Sequence, residues 1–236
     1  MFYKQHCENL GEIEAAIRTI ELDLRRYIST QQNNNVFIYT KILSHLITCW
    51  AEVRILKLIY ENNAFSNAEI DKILSSSTLE FKWQNALDIA ISKAYNLNNT
   101  QNISSKLGTT PRFRYEEMSN LIKLDLLPSI ELRNRIAHGQ WKIAFQSDLK
   151  SISTKLTGQL RLENIVALQL KKKLLVGLAQ TIHDLAVSPL TFERDFDKNF
   201  RLIEENKRNL HKRDYQVYKQ KMIDKYNRGV LKRKSS

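Results

Sequence analysis

Glycine and proline are scarce in this chain, whose 236 residues include six glycines and three prolines. Both residues interrupt helices, glycine through its conformational freedom and proline through its missing N–H group. Hydrophobic residues make up 42% of the chain, which is enough to bury a sizeable core. The composition therefore predicts an all-α protein, and the length suits one domain with extensions.

Cysteine is also rare: Cys7 and Cys49 are the two in the sequence, and neither belongs to a CxxC pair or stands beside clustered histidines. We therefore expect no structural zinc site, no other metal and no cofactor. No GK[ST] phosphate loop occurs, which argues against an NTPase.

Long apolar runs are missing, since no stretch approaches the roughly 18 consecutive apolar residues of a membrane span. The N-terminal residues lack the charged and then apolar pattern of a secretory signal. We expect a cytoplasmic protein that has no membrane contact.

Positive charge is plentiful but unevenly placed. The formal net charge is +12, and 12 of the 37 basic but only 4 of the 25 acidic residues lie between positions 201 and 236. Such a segment suits RNA, whose phosphates it would neutralise, although a solvated helix face explains the charge equally well. The candidate RNA-binding residues of this segment are Lys207, Arg208, Lys212 and Arg213.

Apolar residues recur at spacings of three and four along most of the chain, which indicates amphipathic helices. The pattern predicts helices over about 12–28, 35–61, 67–96 (one or two helices), 162–187 and 192–227. Between them, helical periodicity resumes from about Tyr115, and Pro128 marks the start of a new helix that runs to His138. We expect a helical domain over 1–187, with Phe81 in its core, and a basic helical extension over 188–236 whose second half projects.

Two segments break the helical period. The polar residues 96–112 contain Gly108 and Pro111 and predict a long, mobile surface loop. Residues Trp141, Ile143 and Phe145 alternate with polar or small residues, which predicts a short β-hairpin directly after the helix that begins at Pro128.

The segment LRNRIAHG, residues 132–139, carries the most informative chemistry. Asn134 and His138 are four residues apart and share a helix face, and the long side chain of Arg133 can reach the same end of the helix. Gly139 is suited to the left-handed conformation that ends a helix, which would place His138 in the last turn. An imidazole is suited to proton transfer near neutral pH.

This segment resembles the R-x(4–6)-H signature of HEPN ribonucleases, often seen as R-N-x-x-x-H, and Arg133 to His138 match it position for position. The resemblance implies a HEPN-like helical bundle over about 12–187 that acts as a homodimer. It further implies RNA cleavage without metal, in which the ribose 2′-hydroxyl attacks the adjacent phosphate and leaves a 2′,3′-cyclic phosphate. Arg133 and His138 would be the catalytic pair, Asn134 would orient the site and Arg135 would contact RNA.

More loosely, GQW at 139–141 and SPLTFERDFD at 188–197 look like a prokaryotic HEPN subfamily of abortive infection and anti-phage defence. That likeness implies an antitoxin or another partner in a defence complex. Gln140 stands where HEPN toxins that pair with a nucleotidyltransferase antitoxin carry tyrosine, so regulation through that tyrosine is not expected.

Other interpretations stay open. Glu52 and His45 share a helix face with Cys49, and a carboxylate there would hold the guanidinium of Arg133; otherwise Glu52 faces solvent and His45 is a core histidine. The motif itself is also compatible with a surface ion pair and a helix-capping histidine. Two further classes remain: a catalytically silent HEPN module that binds RNA or a partner protein, and a purely structural helical partner. His183 and Asp184 are expected to be surface residues, because no catalytic partner is evident for them in the sequence.

Overall fold

In a computed structural model, which describes residues 2–234, the chain is all-α. The helices within that range are α1 Phe2–Ser29, α2 Asn33–Ile59, α3 Asn67–Leu74, α4 Leu79–Ala94, α5 Ile103–Lys106, α6 Thr109–Leu121, α7 Leu127–Ala137, α8 Thr154–Leu162, α9 Ile165–Val187, α10 Pro189–Lys212 and α11 Tyr215–Lys234. None of them combines the length and the apolar character needed to cross a membrane.

The main core lies between the long helices. Helix α2 packs along α1 and also contacts α7 and α9, while α9 packs on α4 and α10. Each helix buries an apolar stripe against these neighbours, as Leu24, Ile55, Leu87 and Ile182 do, and all four are fully buried. Helix α2 is therefore the central element that joins the α1 side of the molecule to α7.

Helices α6 and α7 form one continuous rod, joined by a single π-helical stretch over Ile122–Leu126. Pro128 lies in the first turn of α7 and cannot donate the backbone hydrogen bond that an uninterrupted α-helix requires. Widening the preceding turn accommodates the proline without ending the rod. A new helix was expected to start at Pro128. The structure instead has a local change of helical pitch just before this residue.

Three local expectations differ from the structure. The segment 96–112 contains α5 and the start of α6, so Pro111 occupies the first helical turn, where a missing N–H is tolerated. The expected hairpin is reduced to one isolated antiparallel bridge between Phe145 and Ile152. Phe81 is 52% exposed, because it lies about 160° around α4 from the buried Trp83.

The helix expected over 192–227 is two helices, because the chain turns between α10 and α11. Asp214 accepts a hydrogen bond from the backbone N–H of Gln216 (2.6 Å) at the start of α11. Helix α11 then packs back on α1 instead of projecting, and its Ile223 is buried. Phe192 and Phe196 of α10 belong to the main core, so the described part of 188–236 is integrated into the bundle.

Candidate functional site

The motif helix α7 ends as the sequence predicts, at a left-handed glycine. Gly139 has a φ of +75°, and its backbone N–H donates to the carbonyl of Ile136 (3.0 Å). The N–H of Gln140 donates to the carbonyl of Arg135 (2.9 Å), which completes a Schellman motif. His138 is the C-cap residue of α7, so its backbone position is defined by this turn.

A small second core holds this end of α7 in place. Its buried members come from α7, α8 and the loop between them: Leu132, Ile136, Ala144, Leu156 and Leu160. The indole N–H of Trp141 donates to the carbonyl of Ile136 (2.9 Å), so a side chain outside the helix satisfies one of its last carbonyls. The helix end that carries His138 is therefore supported on one side by packed side chains.

A buried ion pair attaches this second core to α2. The side chains of Lys41 on α2 and Glu163, just after α8, are 3% and 2% exposed, with 3.6 Å between Nζ and Oε2. Glu163 also accepts a hydrogen bond from the hydroxyl of Ser44 (2.7 Å), and the Lys41 ammonium donates to the carbonyl of Leu160. Burial lowers the pKa of Lys41, and the nearby carboxylate opposes that effect.

Arg133 points from α7 toward α2, where its guanidinium meets Glu52. The Nη2 atom of Arg133 lies 3.2 Å from Oε2 of Glu52, close enough for a charge-assisted hydrogen bond. The side chain of Arg133 is 22% exposed and that of Glu52 is 42% exposed. Glu52 therefore contacts Arg133 and also faces solvent, so it has features of both interpretations.

His45 and Cys49 lie on the same face of α2, about two turns and one turn before Glu52. The positive charge of Arg133 affects the pKa of both side chains. The pKa of His45 is lowered, first by burial and then by the charge of Arg133. The pKa of the Cys49 thiol is raised by burial, while Arg133 acts in the opposite direction. Nδ1 of His45 and Nε of Arg133 are buried without a hydrogen-bond partner among the described residues. The α2–α7 junction thus holds a polar cluster in which two buried nitrogen atoms have no hydrogen-bond partner among the described residues.

His138 and Asn134 face outward at the end of α7, and both are exposed. Within residues 2–234 the His138 ring makes no hydrogen bond. His138 is five residues after Arg133, which corresponds to about 140° around the helix. One chain therefore presents the guanidinium and the imidazole at the same helix end but in different directions. Arg135 is partly buried on the same helix.

An apolar patch is exposed immediately after the motif. The bridge between Phe145 and Ile152 places their side chains on one face of the turn, and these residues are 36% and 54% exposed. Leu149, at the tip of the turn, is 64% exposed. Such a cluster of exposed apolar side chains beside a polar site is typical of an interaction surface.

The candidate RNA-binding residues of the C-terminal segment are placed differently from one another. Lys207 is partly buried and pairs with Asp125 (3.7 Å) and Glu204 (3.8 Å), so its charge is already compensated. Arg208 is exposed. Lys212 and Arg213, at the end of α10, line a groove that α1, α9 and α11 also border.

A further cluster of titratable side chains, centred on Glu61, was not predicted from the sequence. Glu61, after α2, accepts a hydrogen bond from the hydroxyl of Tyr3 (3.1 Å) and contacts Lys57 (3.1 Å) and Nε2 of His183 (3.3 Å). The pKa of Glu61 is lowered; burial acts to raise it, but Lys57 and the other partners outweigh burial. His183 therefore has a partner, contrary to expectation. No local sequence pattern links residues so far apart, so these contacts could be identified only from the three-dimensional structure.

Among residues 2–234, no three His, Cys, Asp or Glu side chains are grouped so as to hold a metal ion. The clusters described above are instead ion pairs and hydrogen-bonded networks. Searches of protein-family models, of curated proteins and of solved structures found no match to this chain.

Proposed function

We propose that this protein is a metal-independent endoribonuclease of the HEPN type, built on a HEPN-like helical bundle and active as a homodimer. The observation that carries the proposal is the contact of Arg133 with Glu52, 3.2 Å across the α2–α7 junction. It holds an arginine guanidinium beside the helix end at which His138 presents an imidazole with no hydrogen-bond partner in the described chain. These are the two residues that the R-N-x-x-x-H resemblance marks as catalytic.

The angular separation of the pair supports a dimer. Because Arg133 and His138 diverge by about 140° around α7, one chain surrounds a phosphate incompletely. A second copy related by a two-fold axis would supply its own arginine and imidazole from the opposite side. The composite site would contain two of each residue, with Asn134 orienting the exposed helix end and Arg135 contacting the RNA backbone.

The reaction is an intramolecular transesterification. One neutral His138 accepts the proton of the ribose 2′-hydroxyl as that oxygen bonds to the adjacent phosphorus. The bond between phosphorus and the 5′-oxygen breaks, and the protonated His138 of the other subunit donates its proton to the leaving oxygen. Such proton transfers contribute about 10²- to 10⁴-fold each, while Arg133 stabilises the charge on the non-bridging oxygens. The products are a 2′,3′-cyclic phosphate and a 5′-hydroxyl.

The apolar patch of Phe145, Leu149 and Ile152 is the dimer surface we propose. It follows the motif directly, so covering it with a second copy would bring two α7 ends together. Leu149→Asp should therefore yield a monomer in sedimentation and lose RNA cleavage. Leu162→Asp, at a position that is 77% exposed outside the patch, is the matched control and should leave both properties unchanged.

The biological setting follows from the resemblance to defence HEPN proteins: cleavage of cellular RNA in anti-phage defence or as a toxin, controlled by an antitoxin or complex partner in the cytoplasm. Expression in a bacterial host should then arrest growth. The arrest should disappear in His138→Ala and persist in His211→Ala, which removes an exposed histidine outside the motif.

The direct test is incubation of the purified protein with total RNA in EDTA. We expect cleavage that falls at least 100-fold in Arg133→Ala and in His138→Ala, with both variants folded by circular dichroism. Arg18→Ala and His211→Ala remove exposed residues of the same types elsewhere and should cleave normally. Equal cleavage by all five proteins would refute the assignment of the site.

A silent module that binds RNA or a partner protein is the second candidate. It is favoured by one observation: nothing in the described chain fixes the tautomer or orientation of the His138 ring. In that case the wild-type protein should shift RNA in a gel without cutting it, and Arg133→Ala should weaken the shift.

A further inference from the structure

A groove of about 1250 Å³ lies between α1, α9, α10 and α11, and the proposed nuclease site does not use it. We call it the basic groove. Apolar lining residues are Val166, Leu170, Val176, Leu202, Ile203, Val217 and Tyr218. Basic lining residues are Arg25, Lys172, Lys173, Lys212, Arg213 and Lys221. The groove therefore offers both apolar contact and positive charge.

Val166, Leu170 and Ile203 form a buried floor, whereas three other apolar side chains of the lining are accessible. Val176 is 43% exposed, and Leu202 and Val217 are each 52% exposed. They come from α9, α10 and α11 respectively, so three different helices direct aliphatic groups to one surface. Single exposed apolar residues are ordinary, but a group of them that lines one concave surface indicates a binding site.

Its positive charge is largely uncompensated. Lys172, Lys173, Lys212, Arg213 and Lys221 form no ion pair with any residue between 2 and 234. Arg25 is the exception, because Glu21 lies 3.3 Å from its guanidinium. The carboxylates that also line the groove, Glu21, Glu205 and Asp214, are fewer than the cations. An anionic partner would therefore find complementary charge there.

The helices that form the walls of the groove are held in place by close packing against one another. A Cβ atom on Gly177 of α9 would lie 2.6 Å from Cγ1 of Ile203 on α10, so α9 and α10 pack closely here and a larger residue at position 177 would have to displace Ile203. Helix α11 is anchored in turn by the buried Ile223. The groove is thus preformed, and a partner need not order its walls.

The groove and the motif are built from different helices, because the groove lining includes no residue of α2 or α7. Thr48 and Glu52 of α2 contact α7, through the carbonyl of Ser129 and through Arg133. Trp50, about 200° around the helix from Thr48, contacts Glu14 of α1 (3.1 Å). Because Arg133 and Glu52 belong to helices that do not line the groove, an RNA phosphate at Arg133 and an occupant of the groove would contact different residues.

We propose that the basic groove binds an acidic amphipathic helix of a partner protein. Its aliphatic lining suits leucine-like anchors at helical spacing, and its cations suit glutamate or aspartate beside them. A nucleic-acid strand fits less well, because single-stranded binding grooves stack bases on successive aromatic rings, and Tyr218 is the aromatic residue in this lining. Binding of such a helix does not require nuclease activity.

The experiment displays a library of 16-residue helical peptides with randomised surface positions on yeast and selects it against the full-length protein. Selected peptides are then measured by fluorescence anisotropy. The groove variants are Leu202→Asp and Lys172→Glu with Lys221→Glu. The matched controls are Leu190→Asp, at a position that is 86% exposed outside the groove, and Lys123→Glu, also exposed outside it.

We expect enriched peptides with aliphatic residues at i, i+3 or i+4 and i+7 and with net negative charge. Their affinity should fall at least tenfold in both groove variants and stay within twofold in both controls. The proposal is overturned if selected peptides are neutral or basic, or if their binding is insensitive to the groove variants. It is also overturned if labelled oligouridylate binds with the same dependence on the groove and displaces the peptides, since the groove would then be an RNA surface.

Discussion

Arg133 of α7 and Glu52 of α2, 81 positions apart in the sequence, meet with 3.2 Å between Nη2 and Oε2. The contact occupies one edge of the guanidinium, and Nε remains buried without a hydrogen-bond partner among the described residues. Glu52 thus orients the arginine without using all of its donors. In the proposed reaction the guanidinium N–H groups that stay accessible to solvent, and not the buried Nε–H, are the ones that would bind phosphate oxygens.

Removing Glu52 should impair function far more than stability. The pair is partly exposed, so Glu52→Ala should change the free energy of unfolding by only about 0–1 kcal/mol. A guanidinium that loses its orientation should reduce RNA cleavage by about 10- to 100-fold, and Glu52→Asp should keep part of the activity. The two measurements are urea unfolding and single-turnover cleavage. Glu12→Gln, on the exposed face of α1, is the control for a lost carboxylate.

Two glycines should respond oppositely to alanine. Gly139 has a φ of +75° and open space where an alanine methyl group would lie, so Gly139→Ala should lose roughly 1–2 kcal/mol through backbone conformation alone. Gly158 lies inside α8 with equal space, and Gly158→Ala should add roughly 0.5–1 kcal/mol. Thermal and urea unfolding of both variants give the comparison. Equal effects of the same sign would contradict the helix end described here.

The buried pair of Lys41 and Glu163 should be sensitive to loss of one partner. Glu163→Ala leaves the Lys41 ammonium buried without its carboxylate and should cost about 3–5 kcal/mol in the free energy of unfolding. The double variant Lys41→Met with Glu163→Gln removes both charges and should recover most of that loss. Glu8→Ala breaks the exposed pair with Lys4 and should change stability by less than about 0.5 kcal/mol.

The pH dependence of stability should report on His45. Its folded pKa is below the ordinary value of 6.5, because burial and Arg133 disfavour the imidazolium. As the pH falls below 6.5, His45 therefore takes up a proton more readily in the unfolded chain than in the folded chain. Its contribution to stability is complete above pH 6.5 and is lost as the pH falls below that value. Between pH 7 and pH 5, His45→Gln should lose less stability than the wild type does. Parallel curves for the two proteins would refute this environment, and His211→Gln is the control.

Local signals made the motif helix predictable. Gly139 is the residue whose conformational freedom ends α7, and the same turn defines where His138 lies. The contact of Glu52 with Arg133 was one of two interpretations, because spacing along α2 defines a face but not the neighbour that it meets. That Glu61 contacts both Tyr3 and His183 depends on three distant segments, and no periodicity in the sequence indicates it.

The breaks between helices were harder to predict than the helices. The turn between α10 and α11 contains neither glycine nor proline, and its signal is a single capping residue, Asp214. Helix α8 is likewise capped by Ser153, whose hydroxyl accepts a hydrogen bond from the backbone N–H of Leu156 (3.4 Å), within a segment rich in serine and threonine. A capping side chain is a weak signal when apolar spacing continues across the break, as it does from α10 into α11.

In the proposed reaction a ribose 2′-hydroxyl attacks the phosphate held at Arg133 and His138. The most direct test compares an all-ribose oligonucleotide with the same oligonucleotide carrying one 2′-deoxyribose at the cleaved position, in EDTA, with products identified by mass spectrometry. We expect 2′,3′-cyclic phosphate ends from the first oligonucleotide and no cleavage at that position in the second. Equal cleavage of both substrates, leaving 3′-hydroxyl and 5′-phosphate ends, would contradict it.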